Sequence, residues 1–426
     1  MRWNLALSLC LALVVVAGQL TVAGGAVASP RQDGIVSPDP SDVTPHVIDG
    51  NVNAFALVGP RMFAGGTIAQ VREQGSVVIQ RRHNLMAFNA STGALLPFAP
   101  VFDGQVWSLE PAGDGTLLVA GSFRTVNGVP ARGLVKLDLA TNAVVTAFAP
   151  GLDGSVTDVQ LVRGRVVIAG KFRTAGGAAR PYLASLDPVT GASTPFIEVA
   201  VAGRVAVGRG LPHVYRFAVD PAETRMVIMG NFTSVAGQSR WRVAMLDLSS
   251  AGSRLASFND IRFYEECDVT MPAYFRDADW SPDGSYFVLV TTGLVGPGSL
   301  CDSASRWDDF SGNNRGARWI NKTGGDTLHS VAVTGPAVYV GGHQRWLDNP
   351  LGENSPGPGA VSRPGVGAID PVSGRALDWN PTRTRGVGAK ELYATYAPGG
   401  AGLWIGSDTE LLGQEYHGSI GFFPLL

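Results

Sequence analysis

Residues 117–128 read LLVAGSFRTVNG: an apolar run that ends in Gly, a Phe two places on, a small apolar residue, and a closing Gly. The phrase returns at 166–176 (VVIAGKFRTAG) and at 226–237 (MVIMGNFTSVAG), with a looser copy at 62–71 (MFAGGTIAQV). Self-similarity at a spacing of tens of residues marks a repeat architecture, in which each unit buries its apolar face only against its neighbours. Around the phrase the repeat reads as four short strands. In the second copy these are 106–111, 116–121, 133–139 and 143–149, with Asp114-Gly115 as a hairpin turn. The third strand closes on an acid, at Asp138, Asp187, Asp247 and Asp370, where a carboxylate can satisfy turn amides. No helical period persists through a repeat.

Counting the Gly that ends the second strand gives Gly66, Gly121, Gly170, Gly230, Gly293, Gly342 and Gly406. The seventh copy has strands at 392–396, 403–406 and 419–423 and lacks a fourth. Residues 43–50 (VTPHVIDG) match the ends of other copies, 98–104 (FAPVFDG) and 148–154 (FAPGLDG). This predicts an all-β fold: a seven-bladed β-propeller closed by an N-terminal strand that completes the last blade, leaving only short, protected sheet edges. An open solenoid or two sandwiches are the alternatives. The Gly-Ser-Phe, Gly-Lys-Phe and Gly-Asn-Phe phrases at 121–123, 170–172 and 230–232, with their Phe-Ala-Pro and Asp-Gly joints, resemble the delta-sixty-repeat-like propellers of secreted bacterial proteins. The resemblance implies a propeller and export; it carries no functional residue over.

The remaining chain divides into a secretory signal at 1–28, a flexible leader at 29–42 and one propeller domain at 43–426. The signal has Arg2, an apolar run over 5–17 and Ala26-Val27-Ala28 before Ser29. An uncleaved anchor is the alternative, but the run is short for a span of about 20 residues. A secreted, extracellular, monomeric protein with no membrane span after cleavage follows. Composition is globular, 45% hydrophobic and 16% charged, and a net charge of -2 gives no general attraction to nucleic acid. Of three cysteines, Cys10 leaves with the signal; Cys267 and Cys301 form an even pair suited to one disulfide in an oxidising compartment.

Arg132, Arg180, Arg240 and Arg363 precede the third strand in four copies, and a feature repeated so often reads as structural bridging, with lectin-like binding in every blade as the alternative. Departures from the repeat point to function. The sixth copy has His343, Arg345, Trp346 and Asp348 after its second strand, then a Pro- and Gly-rich insertion over 349–365. The seventh has Asp408 and Glu410, then Tyr416 and His417. These residues should share one face, where Trp stacks and Arg and acids hydrogen-bond a polar ligand, a glycan or peptide; Trp346 and His343 pinning the loop is the alternative. A second candidate is the central channel, bordered by Thr157, Tyr215, Arg276, His329 and Lys390 or Glu391. No zincin, nucleophile-elbow, P-loop or dinucleotide motif is present, and neither a metal site nor a cofactor is indicated. The reading is a binding or interaction module for a polar ligand or envelope partner. The alternative is an extracellular polysaccharide hydrolase or lyase using the same acids and histidines.

Overall fold

The computed structural model describes residues 28–205, 212–267, 273–293, 299–384, 386–396 and 400–426; the expected signal over 1–28 lies outside them except for its last residue. Among the described residues there is no α-helix. One 3-10 turn, Ile261–Tyr264, is capped by the Asp260 carboxylate accepting from the Arg262 N–H. Everything else regular is small antiparallel sheets.

The larger sheets follow one another along the chain. The first is Val52–Val58, Arg61–Gly66 and Leu85–Asn89. The second is Val106–Pro111, Thr116–Gly121 and Leu134–Asp138; the third is Val156–Val162, Arg165–Gly170 and Leu183–Leu186. The fourth, Val214–Val219, Arg225–Gly230, Val243–Ser249 and Gly252–Leu255, has a fourth strand. So does the fifth: Tyr274–Trp280, Phe287–Thr292, Ser303–Trp307 and Trp319–Lys322. The sixth is Leu328–Val333, Val338–Gly342 and Val366–Ile369, and the seventh Glu391–Thr395, Gly402–Gly406 and Ile420–Pro424.

The expected fourth strand is therefore regular in only two of these sheets. In the second copy, residues 143–149 keep a single bridge, Leu137 to Val144, after the Asp138 turn. The turn residues are held by the Asp138 carboxylate, which accepts from the Ala140 and Thr141 N–H groups (3.0 and 2.8 Å). The chain then turns into Phe-Ala-Pro, and Pro150 has no N–H with which to continue a ladder.

The core lies between sheets. Phe63, Leu85 and Phe98 pack with Val106, Leu117 and Phe123 between the first and second sheets. Equivalent clusters join each later pair. Another unites Val52, Phe55 and Phe88 of the first with Trp404, Ile420 and Phe422 of the seventh. The repeated Phe123, Phe172 and Phe232 are almost wholly buried, as is Ile68 of the looser copy. The Gly that ends each second strand has a reason too. A Cβ at Gly66, Gly121, Gly170, Gly230 or Gly342 would strike the carbonyl oxygen of Asn51, Gln105, Ser155, His213 or Thr327, in the chain leading into the same sheet's first strand.

The N-terminal part departs from expectation in its pairing. Residues 43–50 supply His46–Asp49, whose ladder is with Gln70–Arg72, not with the last strand. The stretch beside the last strand begins earlier: Val36 bridges Leu425, and the Ser37 and Ser41 N–H groups donate to the Pro424 and Phe422 carbonyls (both 2.8 Å). Val47 then donates to Gly418 O at 2.8 Å. Residues 29–42, expected as a flexible leader, are thus bonded along their length. Gln32 and Val36 are buried, and the Trp379 indole donates to Ser37 O (3.0 Å).

Cys267 and Cys301 form a disulfide with Cα atoms 5.7 Å apart. Their sequence neighbours are polar, yet both sulfurs turn into the apolar cluster of Phe263, Phe275 and Leu300. The bridge closes a separation of 34 residues, for which the chain-entropy model gives about 3–4 kcal/mol. A Cys267→Ser, Cys301→Ser protein should lose that much in urea unfolding, and a loss below about 1 kcal/mol would show that the bridge adds little.

Candidate functional site

The first strands of the sheets are irregular in the same way. The pairing register shifts between Val52 and Ala54, Val106 and Ser108, Val156 and Asp158, Val214 and Arg216, Phe275 and Asp277, and Leu328 and Ser330. Each shift is a β-bulge, which inserts one residue and re-aims its side chain. The bulged residues are Asn53, Trp107, Thr157, Tyr215, Arg276 and His329. Together with Lys390, just ahead of Glu391–Thr395, they line one cavity of about 320 Å³. In the first three sheets the bulge follows the buried Val of an Asp-Gly-x-Val phrase.

Beyond each bulge, alternate residues face the same way, since side chains along a strand have a period of two. Asp158, Arg216, Asp277 and Glu391 come next, then Gln160, Asp279 and Tyr393, and these line a second, smaller cavity of about 140 Å³. Arg216 borders both cavities.

Many of these polar side chains tie one sheet to the next. Asn53 Nδ2 donates to Val106 O (3.1 Å), and Ser108 Oγ to Asp158 Oδ1 (3.1 Å). Glu110 accepts from Leu161 N–H (3.0 Å), and Asp158 from Phe217 N–H (3.0 Å). Asp277 and Asp279 accept from the Val331 and Val333 N–H groups (3.1 and 2.7 Å). Tyr393 Oη accepts from Leu57 N–H in the first sheet (3.3 Å).

The two cavities differ in charge. In the smaller one Arg216 faces several acids, with its guanidinium 3.5 Å from Asp158 and 3.8 Å from Glu391. Burial is the main influence on each acid. It raises Asp158, pushes Glu391 up to about 8, Asp277 to about 7 and Asp279 to about 6, and likewise pushes Glu110, outside the cavity lining, up to about 8. Burial works against the charge on Arg216, but Asp158, Glu391 and Asp277 outweigh it and hold the guanidinium firmly protonated.

The larger cavity is cationic and aromatic. Arg276 donates from Nε to Thr292 Oγ1 (2.7 Å) and lies over the Tyr274 ring (4.9 Å). Burial lowers it and Lys390 from their ordinary values. Neither cation is in an ion pair among the described residues. Burial, with Arg276 next, pushes His329 down to about 4, so its ring is neutral at pH 7. Nε2 donates to Val387 O (3.1 Å), which leaves Nδ1 as an acceptor. Tyr215 packs edge-on against His213 (4.2 Å), and Trp107 is half-buried. Two cations, an acceptor nitrogen and aromatic faces suit an anionic ligand with an apolar side.

Thr157, Tyr215, Arg276, His329 and Lys390, read from sequence as channel candidates, thus share one cavity, and Glu391 lines the chamber beneath. The rim residues fall into separate groups. Arg345 grips Asp326 (2.8 and 3.1 Å) and lies over Trp346 (4.3 Å). Asp348 accepts from Asn321 Nδ2 (2.6 Å) and Ala376 N–H (3.1 Å). The His343 N–H donates to Thr327 O (2.9 Å). Asn349 organises the inserted loop, donating to Thr323 O and Ser355 O and accepting from Gly357 N–H. Asp408 accepts from the Val387 and Gly388 N–H groups (2.7 and 3.1 Å), which fixes the cavity wall. Glu410 is exposed. Tyr416 meets His46 edge-on (4.7 Å), and His417 is buried on Thr44 (3.0 Å), where desolvation lowers it. Of this set, Asp408 bonds a cavity-lining residue, Val387, without lining the cavity itself.

Sequence reading missed Asn53, Trp107, Asp158, Arg216, Asp277 and Asp279. Only in hindsight does a shared mark appear, and only for two of them: Asn53 and Trp107 each follow the Val of an Asp-Gly-x-Val phrase. The repeated arginines find partners: Arg132 on Asp153 O, Arg180 on Glu198, Arg240 on Ala256 O and Arg363 on Leu377 O. No group of three or more His, Cys, Asp or Glu among the described residues is placed to hold a metal ion. No helix there is long and apolar enough to cross a membrane.

Residues 112–139 match the family model described as a domain of unknown function (DUF5122) beta-propeller. This supports a β-propeller family through the stretch that carries the repeated phrase. No curated protein matches the chain. A crystal structure of the computationally designed Ika8 protein overlaps 94% of this chain and 100% of its own at 10% identity and a TM-score of 0.43, too loose a likeness to carry an argument.

Proposed function

We propose that the chain is an exported, closed seven-bladed β-propeller of the delta-sixty-repeat-like kind that acts as a binding module. Its binding site is the larger cavity, and its ligand is a glycan that carries a carboxylate. The closed ring is supported by the apolar cluster that joins the first and seventh sheets and by Val52 N–H donating to Ser407 O (3.0 Å). Export is supported by the disulfide, which is at home in an oxidising compartment.

The observation that carries the site is the series of bulges. Bulges cluster where a strand must present a side chain to a ligand, and here they put Arg276, His329, Tyr215 and Trp107 around one space. Arg276 and Lys390 would take the carboxylate, His329 Nδ1 a hydroxyl, and Trp107 or Tyr215 the apolar face of a sugar ring. The volume is within the usual range for small-ligand sites.

Calorimetric titration with a uronic-acid oligosaccharide tests this, with its neutral counterpart and an acidic peptide as the other arms. Charge-assisted hydrogen bonds contribute about 1.5–3 kcal/mol each, so Arg276→Met should weaken uronate binding by about 10- to 100-fold while the melting temperature holds. Preference for the neutral sugar or the peptide, or equal binding by Arg276→Met, would overturn the assignment.

A further inference from the structure

The smaller cavity has a third kind of wall: Ala28, Ser29 and Pro30, from the first described part of the chain. The Ser29 nitrogen lies 3.3 Å from Asp279 Oδ1. Asp279 Oδ2 is taken by the Val333 N–H, and no cation pairs with this carboxylate among the described side chains. Arg216, which lines the same space, is engaged by Asp158 and Glu391. Asp158, Asp277, Asp279 and Glu391 therefore line a chamber whose one guanidinium is already engaged away from Asp279.

The sequence places the cleavage signal Ala26-Val27-Ala28 immediately before Ser29. The two observations are independent, and they meet on the same atom. We propose that Ser29 is the first residue of the exported protein, and that its α-ammonium, released by signal-peptide cleavage, seats in the acidic chamber as the counter-charge of Asp279. This goes beyond the ligand reading and does not depend on it.

The chemistry is peptide hydrolysis by a signal peptidase. Water adds across the Ala28–Ser29 bond, the C–N bond breaks, Ala28 leaves as a carboxylate, and the Ser29 amine takes up a proton. An α-amino group has an ordinary pKa of about 8, so it is charged at neutral pH. Before cleavage, Ser29 N is an amide with one hydrogen to donate. Afterwards it is an ammonium with three, carrying a full positive charge into a site with little water to screen it.

The position is fixed from both sides. Pro30 confines Ser29 to extended backbone. Downstream, Gln32 donates from its N–H to Thr334 O (2.9 Å) and from Nε2 to Gly402 O (2.9 Å), and Val36 N–H donates to Tyr339 Oη (2.9 Å). The terminus is delivered from the side of Val331 and Val333, away from the bulged residues.

The test uses protein purified after export. Intact mass should place the first residue at Ser29; a chain that starts elsewhere overturns the proposal. The melting temperature of the free-amine form is then compared with the same protein after mild Nα-acetylation, and with a chain that retains Ala28. Only four lysines compete for the reagent. Acetylation and retained Ala28 should each lower the midpoint by several degrees. If the free and acetylated forms melt together, the nitrogen serves only as an amide donor and the proposal fails. In Asp279→Asn, acetylation should shift nothing further, and an undiminished shift there places the charge elsewhere and overturns the pairing. Should Asp279→Asn fail to fold, the comparison of free and acetylated native protein decides alone. Ligand affinity at the larger cavity is not read in any arm, so failure of one proposal leaves the other standing.

Discussion

Arg216→Met should destabilise the protein by about 3–5 kcal/mol in urea unfolding, because it breaks a buried ion pair from one side only. Methionine nearly matches the aliphatic length of arginine, so lost packing is small and lost charge dominates. Asp158 and Glu391 then face each other with no cation between them. Asp158 cannot move away cheaply, because it also accepts from Ser108 Oγ and Phe217 N–H in the sheets on either side. The decisive control is a double mutant. Measured above pH 8, where Glu391 is ionised, Glu391→Gln removes one of the stranded charges and should restore a substantial part of the loss, a coupling of about 1–3 kcal/mol. If Arg216→Met costs less than about 1 kcal/mol, the guanidinium is not what holds the carboxyls together.

Stability should also fall as pH rises. Glu110, Asp277 and Glu391 are all held above the ordinary carboxylate range, at about 8, 7 and 8, chiefly by burial. Such groups bind protons more tightly in the folded chain than in the unfolded one. Their contribution is complete below the unfolded value of about 4 and is lost as pH climbs through the folded values, from 7 to 8. At about 1.4 kcal/mol per pH unit for each proton by which the two states differ, one such carboxyl accounts for on the order of 5 kcal/mol between pH 4.5 and 8. Thermal unfolding across that interval should show a steadily declining midpoint. Glu391→Gln should flatten the slope between pH 6 and 8, since the amide stays neutral throughout. A midpoint that rises across the interval would mean that the carboxyls are ionised in the fold and matched by cations.

The two effects share a cause that the sequence shows only in part. Strand positions were legible because the repeated phrase has a period, and 106–111 and 116–121 match the observed strands to the residue. The disulfide was legible because two cysteines leave one pairing. The fourth strands were overread: 143–149 has apolar residues at the right spacing, but the Asp138 turn and Pro150 leave room for one bridge. The rim residues make bonds that the sequence does not show. Asp348 and His417 look like departures from the repeat, and each is spent on holding its neighbours. The bulges were invisible, since an inserted residue changes register without changing composition. Arg276 and His329 could be placed near a channel by their order in the chain. That Trp107 and Asn53 stand beside them follows from a register shift repeated in six sheets, and only coordinates reveal that.

Ser37 and Ser41 donate to the carbonyls of Pro424 and Phe422, so residues nearly the whole chain apart complete one edge. A polypeptide threaded through a translocation pore with its amino end leading presents these serines first and their acceptors last. Most sheets can form as they emerge, since each is built from neighbouring sequence, and such local contacts form early. The final edge must wait for release of the tail. Until then Val36 lacks Leu425 and Trp404 lacks Phe422, and a nascent chain stalled short of residue 420 would hold its apolar first and sixth sheets open to the aggregation that threatens incomplete β-structures.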